Sequence, residues 1–219
     1  MRTLVSALAS LFCGPALACD LALALAVDVS GSVDRGEYRL QMDGLATALR
    51  DPVISEALVR GRAQLMLVQW TGSARQLVSI PWTEVRDFET VERFAARVAA
   101  EPRPWRNFST AIGEALAFAL AQFAPVASCK RRLIDLSGDG VSNEGLPPEE
   151  VHDQLRAAGV VVNAIAIEQS ETDLTAYFYE HVIVGEGAFV VTASTFTEYP
   201  AKIRQKLLRE VVMQTARAD

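Results

Sequence analysis

Residues 21–29 read LALALAVDV, apolar on both faces of any strand they form and broken only by Asp28. A strand with one wet face alternates polar and apolar side chains, so this run requires cover on both sides of its sheet. Sheets covered on both faces are mostly parallel and need helical crossovers. The chain supplies them. Residues 37–50 place Tyr38, Leu40, Met42, Leu45, Ala46 and Leu49 at helical spacing, and Pro52 ends or follows that helix. Residues 88–100, 110–123, 173–181 and 198–213 also read as helices, and Pro147-Pro148-Glu149-Glu150 opens another that Gly159 caps.

Further strands are expected at residues 63–70, 76–82, 133–136, 160–167 and 189–192. Thr71-Gly72-Ser73 is a short turn, so the strands on either side of it pair antiparallel. The expected fold is α/β: a three-layer, doubly wound, mostly parallel six-stranded sheet with one antiparallel edge strand. The strand ending at Asp28 lies beside the one ending at Asp139, and these two are central. Ligands in such folds bind beyond the carboxyl ends of the strands, at the switch point.

Half of the 219 residues are hydrophobic, enough for one substantial core. With 21 basic and 27 acidic residues, the net charge of −6 argues against nucleic acid or an anionic membrane as main partner. Lys130-Arg131-Arg132 is too short a basic run to reverse this and reads as a solvated strand entrance.

The first 18 residues have the form of a secretory leader: Arg2, an apolar stretch from Leu4 to Phe12, then Gly14-Pro15 and an Ala16-Leu17-Ala18 cleavage site. That stretch is shorter than the roughly 20 residues a membrane span needs, and no later segment reaches that length. The mature chain is then one domain, residues 19–219, exported to the periplasm or the extracellular space. Cleavage removes Cys13 and leaves Cys19 and Cys129, an even pair suited to a disulfide in an oxidising compartment. Cys19 lies nine residues before Asp28 and Cys129 ten before Asp139, so neighbouring parallel strands put both at the same sheet edge. Adjacent strands are about 4.8 Å apart and a disulfide needs Cα atoms roughly 4.4–6.8 Å apart, so the bond is feasible. The rival reading, a lipidated Cys19, is less suited by Ala16 three places before the cysteine.

Three loops carry hard oxygen ligands: Asp28-Val29-Ser30-Gly31-Ser32, Phe108-Ser109-Thr110 and Gly138-Asp139-Gly140. Carboxylates and hydroxyls together suit Mg²⁺, Mn²⁺ or Ca²⁺ rather than zinc. Each piece alone is also what helix caps and turns use. In this order, each at the end of a strand or the start of a helix, the trio resembles the metal-ion-dependent adhesion site (MIDAS) of the von Willebrand factor A (vWA) family. The segment from Thr110 to Leu116 supports the resemblance. Residues 132–140, Ala176-Tyr177-Phe178 and residues 185–189 narrow it to an uncharacterised proteobacterial vWA-like group.

The resemblance implies that Asp28, Ser30, Ser32, Thr110 and Asp139 hold Mg²⁺, or Mn²⁺ or Ca²⁺, directly or through water. One position stays open for an Asp or Glu carboxylate of a protein partner, which makes the chain a binding module and not an enzyme. Many members have glycine beside the threonine; here Phe108-Ser109 stands there. A metal-dependent hydrolase of phosphatase type and a structural domain with an empty site are the alternatives. The hydrolase lacks a convincing acid/base or phosphate-clamping cation near the motifs.

Trp105, Arg106 and Phe108 precede Thr110 and are candidates for the rim, with core packing of Trp105 the competing reading. Asp135, inside an apolar strand, is read as structural and bonded to backbone or an arginine. Trp70 and Trp82 read as core. His152 and His181 form no zinc pattern, and Glu144, Glu149 and Glu150 read as loop and helix-start charges.

Overall fold

The computed structural model describes residues 19–169 and 171–213. The leader expected in residues 1–18, with Cys13, lies outside them. In chain order the elements are β1 (Leu21–Asp28), α1 (Arg35–Leu49), α2 (Pro52–Arg60), β2 (Gln64–Trp70), β3 (Gln76–Glu84), α3 (Phe88–Ala100) and α4 (Ile112–Ala121). There follow β4 (Arg131–Gly138), α5 (His152–Ala157), β5 (Val160–Ile167), α6 (Leu174–His181), β6 (Val190–Ala193) and α7 (Tyr199–Leu208).

The six strands are ordered β3-β2-β1-β4-β5-β6. Only β2 and β3 pair antiparallel; the other neighbours are parallel. From β1 the chain winds outward through β2 and then returns to the other side at β4. The crevice between β1 and β4 is therefore the switch point. Strand β1 shows why the sheet needs two helical layers. Leu23, Leu25 and Val27 enter the core beneath α1, α2, α3 and α7, while Ala22, Ala24 and Ala26 face α4, α5 and α6. The small face meets Ala115 and Ala119 of α4. Each fully buried leucine contributes on the order of 1.5–3 kcal/mol.

Pro52 follows α1, as read, and opens α2. Asp51 caps that helix by accepting from the amides of Val53 and Ile54, and a first-turn proline sacrifices no helical hydrogen bond. Three readings need correction. The helix expected from residue 110 begins only at Ile112, whose amide takes the Ser142 hydroxyl. Strand β4 starts at Arg131, because the ladder to β1 pairs Leu21 with Arg131 and Ala22 with Arg132. Arg131 is thus not a solvated entrance residue: its Nη2 donates to the carbonyl of Glu210 at 2.6 Å. Finally, Asp135 is paired with Lys206, at 2.7 Å, and not with an arginine or the backbone.

The lower ends of β1 and β4 are joined covalently. Cys19 and Cys129 form a disulfide with Cα atoms 4.6 Å apart. The Lys130 amide donates to the Cys19 carbonyl beside it. Among the described residues no helix is long and apolar enough to cross a membrane.

Candidate metal site

At the upper end of the β1–β4 crevice, Asp28 and Asp139 are both buried. Asp28 Oδ1 accepts from the Ser30 amide at 2.7 Å, which folds the loop after β1 back over the strand end. Ser30 Oγ lies 3.1 Å from Ser32 Oγ, and Ser32 Oγ donates to Asp139 Oδ1 at 2.7 Å. Thr110 is held over the same crevice by the loop after β4: its amide donates to Asn143 Oδ1 at 2.9 Å and its carbonyl accepts from the Asn143 amide at 2.9 Å. Asp28, Ser30, Ser32 and Asp139 are thus linked at one crevice, and Thr110 approaches the neighbour of Asp139, its Oγ1 lying 3.9 Å from where a Cβ on Gly140 would stand.

The electrostatics are unbalanced. Asp28 Oδ2 and Asp139 Oδ2 are buried and have no hydrogen-bond partner among the described residues. Burial, and then the Asp139 charge, push the Asp28 carboxyl up to about 8 against the hydrogen bonds from Ser30. Burial raises Asp139 too, with the hydrogen bond from Ser32 and the more distant charge of Arg103 pulling the other way. Two adjacent buried carboxylates are costly without a cation. The donors beside them are hydroxyls, a hard oxygen set that fits Mg²⁺, Mn²⁺ or Ca²⁺.

A strap of residues 101–109 lies against this loop. The Gly31 amide donates to the Phe108 carbonyl at 2.8 Å, and a Cβ on Gly31 would stand 3.2 Å from Asn107 Cα and from that same oxygen. A side chain there would push the two segments apart by a few tenths of an ångström. Arg103, which the sequence reading passed over, donates through Nη2 to the carbonyls of Val29 at 3.0 Å and Ser30 at 2.6 Å. Its position between Pro102 and Pro104, in a stiff loop, was the available signal. Asn143 and Ser142 were also passed over; small polar residues in a loop carry no mark of what they will bond.

The rim candidates divide. Trp105 is half-buried and packs against the core, whereas Arg106 and Phe108 are exposed. The Phe108 ring carries the Arg75 guanidinium 3.9 Å from its centroid. Trp70 is core as read, and Trp82 is half-buried with its indole N–H on the Gln122 carbonyl. Glu144 is more than a loop charge, since it accepts from the Ser73 amide at 3.1 Å, and Glu149 pairs with His181.

The family model for a protein of unknown function (DUF1194) matches residues 18–215. No curated protein matches the chain. Among solved structures, proximal thread matrix protein 1 from the mussel byssus is similar at 21% identity with a TM-score of 0.67, over 87% of this chain and 48% of that one. A further structure of that protein, with a zinc-occupied MIDAS motif, is similar at 22% identity with a TM-score of 0.63 over 87% and 48%. A von Willebrand factor type A protein from Catenulispora acidiphila follows at 17% identity and 0.61, over 88% and 43%. The chain spans less than half the length of these structures, and at such identities the likeness establishes the vWA-like fold.

Proposed function

The chain belongs to the DUF1194 family, whose function is unknown, and from its site we propose that it is an exported, metal-dependent protein-binding module. The observation that carries this reading is the pair of buried carboxylates, Asp28 and Asp139, whose inner oxygens lack a donor among the described residues, with the Ser30 and Ser32 hydroxyls beside them and Thr110 near Gly140. Asp28, Ser30, Ser32, Thr110 and Asp139 would hold the ion, Mg²⁺ or else Mn²⁺ or Ca²⁺. When bound, the ion supplies a Lewis-acidic attachment point for one further oxygen. Asp139 fixes the Ser32 hydroxyl, and Asp28 fixes the Ser30 loop, so the donors are oriented before the ion arrives.

Neutral hydroxyls among the ligands leave a divalent charge under-compensated, which favours an Asp or Glu carboxylate from a partner protein. The exposed Arg106 and the Arg75–Phe108 stack beside the crevice suit an acidic partner surface. Arg103 is engaged by two backbone carbonyls, so it serves the loop's shape and not a phosphate clamp. A leader in residues 1–18, a domain of residues 19–219 and the Cys19–Cys129 disulfide fit a periplasmic or extracellular location. The similar byssus structure with a zinc-occupied MIDAS motif supports the choice of a divalent ion.

Titration calorimetry with Mg²⁺ and Mn²⁺ tests the site. The wild type is expected to bind one ion, and Asp28→Ala/Asp139→Ala to bind none while keeping its circular dichroism spectrum. Unchanged binding by the double variant overturns the assignment. Capture of an envelope protein that chelator releases would extend the reading to the partner.

A further inference from the structure

Beneath the helical layer of α1 and α7, three ionisable side chains are shut away from water together. Lys206 and Glu210 have no solvent exposure and Asp135 has 3%. Lys206 Nζ lies 2.7 Å from Asp135 Oδ1 and 2.6 Å from Glu210 Oε1. Asn163, the ladder neighbour of Asp135 on β5, donates to Glu210 Oε1 at 3.0 Å and accepts the Phe189 amide at 3.1 Å. Arg131 holds the Glu210 carbonyl. Asp135 Oδ2 and Glu210 Oε2 have no donor unless one of the two acids is protonated.

We propose that this cluster is a self-processing site, in which Lys206 and Asp135 condense to an intramolecular amide with Glu210 as the proton-transfer group. The juxtaposition has what such a reaction needs: an amine against a carboxyl group, a second carboxyl touching the amine, and a core without bulk water.

The balance is as follows. Within the ion pair a proton passes from the Lys206 ammonium to the Asp135 carboxylate, giving amine and acid. Nζ then attacks Cγ of Asp135 and the C–N bond forms. Glu210 takes a proton from Nζ and delivers one to the departing hydroxyl. The Cγ–O bond breaks, one water leaves, and nothing is oxidised or reduced. Fixing both partners in contact replaces a bimolecular encounter by a unimolecular step. Burial, followed by the charge of Asp135, pushes the Glu210 carboxyl up to about 8, which suits a group that must carry a proton in one step and release it in the next. The amide also removes two opposite charges from a site where desolvation penalises both.

The bond would staple the last helix, α7, to β4, as the disulfide staples the start of β1 to the residues before β4. It is independent of the metal site.

Intact mass of the purified, reduced and denatured protein tests this. The expected result is a deficit of one water against the sequence counted from the observed N-terminus, and a branched proteolytic peptide joining Asp135 to Lys206. Glu210→Gln and Lys206→Arg are each expected to restore the full mass. Folded wild type at full sequence mass, with separate peptides carrying Asp135 and Lys206, overturns the proposal. A deficit of one ammonia would assign the bond to Asn163 and overturn the role given to Asp135. Both readouts use the wild type, so a variant that fails to fold does not blur the answer.

Discussion

Strand β4 and the turn that follows it carry two buried acids four residues apart, Asp135 and Asp139, and each is one half of a pair. Asp139 stands against Asp28 at the upper end of the crevice, whereas Asp135 stands against Glu210 in the core. Burial raises the carboxyl groups of Asp28, Asp139 and Glu210, and each pair has inner oxygens without a donor among the described residues. The difference is the cation. The core pair has its own nitrogen partner, the Lys206 side chain, at contact distance from both acids; among the described residues the crevice pair has Arg103 nearby, whose guanidinium is turned to backbone carbonyls. One arrangement is complete within the chain. The other is fringed by hydroxyls and open through the exposed Ser32, and on the proposed reading an ion from outside completes it.

Removing a charge should therefore have opposite consequences in the two regions. Lys206→Met deprives Asp135 and Glu210 of the Lys206 nitrogen and is expected to cost about 3–5 kcal/mol in denaturant unfolding. Asp139→Asn, measured without divalent ions, is expected to raise stability, because it relieves repulsion between buried acids. The same sign for both would break the comparison.

The disulfide comes next in size. Replacing Cys19 and Cys129 by serine should lower stability by about 2–4 kcal/mol, since the bond closes a long loop. Thermal melting under reducing and non-reducing conditions checks it, and an unchanged midpoint would show that the β1–β4 ladder holds the two ends without it.

Metal addition sharpens the contrast further. At a concentration near 100 times the dissociation constant, a divalent ion should stabilise the wild type by about 2.7 kcal/mol. The Asp28→Asn/Asp139→Asn variant should show no such gain, while Lys206→Met should retain it.

A further expected effect is on pH dependence. Glu210 is raised from 4.5 to about 8 by burial, so the folded state holds its proton more tightly than the unfolded state does. Its contribution to stability is full below about pH 4.5 and is lost as pH rises through about 8. Unfolding curves across this window should flatten in Glu210→Gln. An unaltered slope would show that Glu210 is ionised in the fold.

The site was more legible than its support. Asp28, Ser30, Ser32, Thr110 and Asp139 announce themselves because a turn that presents oxygen ligands needs short polar side chains and glycine at close spacing, a local requirement. Arg103 had no such mark, because its partners lie more than 70 residues earlier in the chain. Glu144 looked like any loop charge for the same reason: the amide it accepts, that of Ser73, belongs to a distant turn. Pro52 was legible as a helix boundary, but that it also starts the next helix is decided by the Asp51 cap.

By itself the sequence determined that β1 must be covered on both faces, which entails helices on either side of a mostly parallel sheet and a ligand crevice at the strand ends. It also determined that two cysteines before the two central strands would meet, because parallel neighbours in register bring their starts together. What it left open was the company that Asp135 keeps. An acid in an apolar strand must be paired, but its partners come from a helix whose rotation is set by packing Ile203 and Leu207 against the sheet. That packing points Lys206 and Glu210 inward, and no pattern local to either segment encodes their meeting.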